Sequence, residues 1–146
     1  LYDRPEDINI FELFYNGSGL EEIITEQERM DIIEYNGWEM EPDCSCTKIS
    51  KTNMDKILFK YIELGLEETE KIGIENFTYL NEYDAFYYYH GDTNYLTKIT
   101  FSEGTRTDNI ICLYYNDDFV GDGEKVLTLK AQEGNYVFLS NKKVEK

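Results

Sequence analysis

Tyr83-Asp84-Ala85-Phe86-Tyr87-Tyr88-Tyr89-His90-Gly91-Asp92-Thr93-Asn94 is where the chain changes character. Upstream, apolar residues recur at helical spacing; from here onward they recur with a period of two, between clusters of Gly, Asn and Asp. The run itself reads as a strand, Tyr83 to His90, closed by a polar turn. Four further strands follow in the same idiom: Tyr95 to Ser102, Ile110 to Tyr115, Lys125 to Ala131 and Tyr136 to Ser140. β-Branched and aromatic residues dominate them, and Glu133-Gly134-Asn135 and Asn116 to Gly123 supply turns. A five-stranded antiparallel meander over about residues 83–141 is the expectation.

Upstream, the pattern predicts three to four helices over about residues 1–75. Pro5 with Glu6 and Asp7 marks a start, Ile8, Phe11, Phe14 and Tyr15 share one face, and Asn16-Gly17 ends a helix of about 5–15. Thr25-x-x-Glu28 is a capping box opening a helix of about 26–36, and Ser18-x-x-Glu21 has the same form. Residues 37–51 show no sustained period and read as a connection that holds the only tryptophan, Trp38. Thr52 caps a third helix with Met54, Ile57, Leu58, Tyr61 and Ile62 on one face, ended by Gly65. Leu66 to Lys71 forms a fourth, short piece closed by Gly73. Helices first and strands afterwards predict an α+β fold in which the helical layer covers one face of a curved sheet, in a single domain of residues 1–146.

Charge narrows the function classes. The chain has 30 acidic and 14 basic residues, net −16, which opposes binding to a phosphate backbone or an anionic membrane surface. Residues 1–92 hold 22 of the acids and 7 of the bases, so the helical half carries nearly all of the excess. Solvated helix faces explain it; attraction of calcium or a cationic partner to an acidic adhesion surface is the sharper alternative. No run of about 18 apolar residues is present to span a membrane.

Candidate sites gather at the opening stretch. His90 and Asp92 flank Gly91, so in extended backbone they share a face, and Asp84 is a second carboxylate that could orient the imidazole. An acid–base enzyme built on His90 lacks a recognisable nucleophile, because no Gly-x-Ser-x-Gly turn exists and Cys112 has no local signature. Tyr87, Tyr88 and Tyr89 alternate across the strand, with Phe86 beside Tyr88. Together with His90, Asp92 and Asn94 they form the candidate binding surface for a protein or cell-envelope partner. Asp92 and Asn94 also suit bonding to the turn's own backbone.

Three cysteines, Cys44, Cys46 and Cys112, cannot all pair within one chain, and a soft-metal site would need all three thiolates to converge with His90. Free thiols are expected instead. Asn116 to Glu124 is rich in oxygen ligands, but Val120 falls where an EF-hand needs a ligand and no helices flank the loop. No cofactor motif occurs, and none is expected to be bound.

Leu64-Gly65-Leu66-Glu67-Glu68-Thr69, Tyr83-Asp84-Ala85-Phe86-Tyr87, His90-Gly91-Asp92-Thr93-Asn94 and Tyr136-Val137-Phe138-Leu139-Ser140-Asn141 carry a resemblance in wording to a group of extracytoplasmic, lipoprotein-type domains of anaerobic Gram-positive bacteria. The group has no established activity, so the resemblance implies export and little else. A chain beginning at Leu1 reads as a trimmed or a mature segment, and any signal or lipid anchor would lie upstream. The order of elements is also similar to cystatin-like and nuclear-transport-factor-like cones, which host enzymes and binders alike. Taken together these readings predict a secreted or surface-tethered, non-enzymatic binding domain of otherwise unknown role, with a small His90-based enzyme or ligand-binding cone as the alternative.

Overall fold

The computed structural model describes residues 1–91 and 97–145. The chain is α+β, with three α-helices and two separate antiparallel sheets among the described residues. Helix α1 is Ile10–Phe14, α2 is Glu26–Asn36 and α3 is Lys51–Ile62. Strands β1 (Ser45–Ser50), β2 (Thr78–Leu80) and β3 (Ala85–His90) form a three-stranded sheet in the order β1-β3-β2. Strands β4 (Ile99–Thr107), β5 (Ile110–Asp117), β6 (Lys125–Gln132) and β7 (Asn135–Lys143) form a four-stranded meander in sequence order.

The single five-stranded sheet is thereby corrected. The strand at 85–90 leaves the meander and becomes the centre of its own sheet, because both its faces are apolar. Ala85 and Tyr87 pack with Ile32 of α2 on one side. Phe86 and Tyr88 pack with Met54, Leu58 and Ile62 of α3 and with Ile10 and Phe14 of α1 on the other. A strand covered on both faces needs neighbours on both edges to pair its backbone. β1 supplies one edge, in register from Ser45 opposite His90 to Ser50 opposite Ala85. That strand lies inside the 37–51 stretch taken as a connection; with only Ile49 fully buried among its six residues, its period is too faint to see.

Local chemistry explains the other boundaries. The capping box at Thr25 and Glu28 is formed in full, and α2 ends where Gly37 turns left-handed at φ 66°. The first predicted helix divides in two. Pro5–Asp7 makes one 3-10 turn, and the Asn9 side chain then accepts from the Glu12 N–H at 3.0 Å and starts α1 afresh. Ser50, not Thr52, caps α3, and Glu63 in the left-handed region ends it two residues before Gly65. The fourth helical piece is a 3-10 turn, Leu66–Glu68. β4 runs to Thr107 past a bulge at Phe101/Glu103, and a two-residue turn with Asp108 at φ 55° returns the chain to β5.

Helix α3 is shared. One side packs on the three-stranded sheet, and its C-terminal half lies against β7. At twelve residues it is about 18 Å long, so it cannot roof both sheets completely. Part of the inner face of the four-stranded sheet stays open.

Candidate functional site

The residues singled out by sequence fall into three environments. Tyr87 and Tyr88 are core residues, 0% and 4% exposed. The Tyr88 hydroxyl donates to the Phe14 carbonyl at 2.9 Å and the Tyr87 hydroxyl to Glu28 Oε1 at 2.5 Å. Tyr89 and His90 are half-buried. Tyr89 donates to Glu41 Oε1 at 2.9 Å, and Trp38 meets its ring edge-on at 5.6 Å. His90 lies against the rings of Tyr15 and Tyr88, with Nε2 3.3 Å from Thr47 Oγ1. Asp84 sits at the opposite end of β3, where it accepts from the Tyr79 hydroxyl at 2.6 Å, so it is not brought to His90. Asp92 and Asn94 lie outside the described residues.

A buried polar group joins α2 to the three-stranded sheet. Glu28 is 1% exposed. Its carboxylate accepts from the Thr25 N–H at 2.7 Å and from Tyr87, and it pairs with Lys48 of β1 at 2.6 Å. Burial alone pushes this carboxyl up; the Lys48 ammonium, the Thr25 N–H and the Tyr87 hydroxyl overcome it and hold it at about 2. Burial and the Glu28 carboxylate push the Tyr87 phenol up. A charged pair so fully bonded locks the helix to the sheet and leaves neither group for a substrate.

The three cysteines are free thiols. Cys46 is pushed up by burial, the opposite of what an activated thiolate needs. Cys112 is on β5, in the other sheet, with its sulfur 3.9 Å from Thr128 Oγ1. The acidic loop after β5 spends its carboxylates on the protein. Asp117 accepts from the N–H groups of Phe119 and Val120, Asp118 from Thr100, and Asp122 holds both Lys125 and Lys143.

A further candidate lies elsewhere in the fold. Between α3, the N-terminal segment and the inner face of the four-stranded sheet lies an apolar cleft of about 590 Å³. Leu58, Tyr61 and Ile62 line it from α3, and Ile8 and Leu13 from the N-terminal segment. The sheet contributes Ile99 and Phe101 of β4, Tyr115 of β5, Leu127 of β6, and Phe138 and Asn141 of β7. Among the described residues none that lines it carries a charge, in a chain of net −16. Ile99 and Phe101, on the edge strand, are 50% and 60% exposed, so the cleft opens at that side.

One end of it is polar. Tyr2 pairs with Asn141 through two backbone hydrogen bonds of 2.9 Å, adding one residue of strand to the free edge of β7. Tyr115 donates to Asn141 Oδ1 at 2.9 Å. Burial and the nearby Tyr115 phenol push Tyr2 up to about 12. Sequence reading passed over Tyr2, Tyr115 and Asn141. Their alternation marks an inward face, but nothing local in sequence says that the helical layer fails to cover it.

No protein-family model, curated protein or solved structure matches the chain.

Proposed function

We propose that this chain is a non-catalytic binding module that acts outside the cytoplasm and takes an apolar portion of a cell-envelope component into the cleft on its four-stranded sheet. The observation that carries this reading is the cleft itself. Its volume is typical of ligand sites, and its lining is an apolar wall with a few convergent polar groups. The aromatic strand at Tyr87 to His90 supports binding less well, since two of its rings are spent in the core. The acid–base alternative finds no support in His90, whose hydrogen bond is to a threonine. Action outside the cytoplasm rests on the resemblance in wording to exported domains.

Titration with Nile red, a neutral apolar dye, tests the site. The chain should bind it with enhanced fluorescence, and both Leu127→Arg and Phe101→Lys should abolish the signal while far-UV circular dichroism and the thermal midpoint stay near wild type. Phe101 is exposed on an edge strand, so its variant keeps the test readable even where Leu127→Arg unfolds the sheet. Undiminished dye binding by a folded Phe101→Lys would reject the cleft as the site.

A further inference from the structure

Resting on the cleft as the binding site, we infer that its ligand is a neutral amphiphile, an extended aliphatic chain ending in one uncharged hydrogen-bonding head that docks on Tyr2, Tyr115 and Asn141. Three observations converge on that chemistry. The first is dimension. From β4 across β5, β6 and β7 to the single paired residue Tyr2 there are four inter-strand spacings. They give a trough of about 19 Å, the length of an extended chain rather than of a compact ring.

The second is the head site. Tyr115 spends its proton on Asn141 Oδ1, which leaves the Asn141 Nδ2 amide protons and the Tyr2 hydroxyl without a hydrogen-bond partner among the described residues. Both groups sit on residues that line the cleft. One donor-only group and one hydroxyl suit a carbonyl or hydroxyl head, which can accept from Asn141 and exchange a bond with Tyr2.

The third is charge. Among the described residues no ionised side chain lines the cleft, so burying a charged head there would leave it without a counter-ion from them. One cation, Lys125, stands opposite Tyr115 on β6 with its ammonium 5.9 Å from the ring centroid. It is already engaged: Asp122 pairs with it and, at 3.2 Å, with Lys143. The lysine therefore borders the site without being offered to it.

Isothermal titration with decanol and with decanoate at neutral pH separates the cases, because the two probes share a chain and differ in the charge of the head. Decanol should bind at one site at least about tenfold more tightly than decanoate. Tyr2→Phe and Asn141→Leu, whose backbone pairing is retained, should each weaken decanol about 3- to 10-fold, the range expected for loss of one hydrogen bond. Tighter binding of decanoate would overturn the inference in favour of the lysine pair as the head site. Equal decanol affinity in Tyr2→Phe, Asn141→Leu and wild type would overturn it too, by showing that chain burial alone drives binding. If neither decanol nor Nile red binds, the cleft reading itself falls; if Nile red binds in the cleft and decanol does not, only the head-group chemistry is wrong.

Discussion

Glu28→Gln keeps the shape of the side chain and its place in the capping box, and removes the one charge shared by Lys48 and Tyr87. In the folded chain this carboxyl titrates at about 2, against an ordinary 4.5. A depression of that size is worth about 3 kcal/mol of folding stability. The group is 1% exposed, so solvent screening takes little from that figure. Because the folded value lies below the unfolded one, the stabilisation is complete above about pH 5 and drains away as the pH falls toward 2. Other carboxylates titrate in the same window and change the charge repulsion of an acidic chain. The quantity to follow is therefore the difference between wild type and variant, from urea denaturation at several values between about pH 7 and pH 2. At neutral pH wild type should exceed Glu28→Gln by about 3 kcal/mol, and the gap should close as the acid limit is approached. A gap that stays constant across that range would refute the reasoning, since it would mean the carboxylate's charge contributes nothing that the amide does not.

Two glycines separate strain from collision. Gly37 and Gly73 both have positive φ, 66° and 83°, but a Cβ on Gly37 meets nothing, whereas on Gly73 it would lie 2.4 Å from Asn9 Oδ1, the cap of α1. Gly37→Ala should cost about 1 kcal/mol for conformation alone, and Gly73→Ala clearly more, by thermal or urea denaturation; equal costs would mean that Asn9 yields without loss. Met54, fully buried between α3 and the three-stranded sheet, should lose about 2–5 kcal/mol on truncation to Ala. Tyr88→Phe, which removes one of the two donors to the Phe14 carbonyl and leaves the Gly17 N–H, should cost about 1 kcal/mol in the same assay.

What could be read in the sequence was whatever short-range chemistry decides. The Thr25–Glu28 box fixed the start of α2, Gly37 its end, and the alternation after residue 109 the last three strands. The partition into two sheets was not legible, because it depends on which strand pairs with β3, and β1 disguises itself with two serines, a threonine, a lysine and a cysteine. The Ala85-Phe86-Tyr87-Tyr88 run did hold a clue, since apolar side chains on successive positions mark a strand buried on both faces. The site was less legible still. The single histidine and the row of tyrosines drew notice through rarity and density, whereas burial is what removes Tyr87 and Tyr88 from the surface. The cleft arises from a shortage: one helix of twelve residues serves two sheets, and no residue type announces that.

Amide chemical-shift mapping with decanol reads the central claim directly, because it reports where on the chain a bound chain-like probe sits. The shifts should cluster on Ile62, Tyr115, Leu127 and Asn141, around the cleft between α3 and the four-stranded sheet. Shifts centred instead on Tyr89 and His90, at the end of the three-stranded sheet, would contradict it.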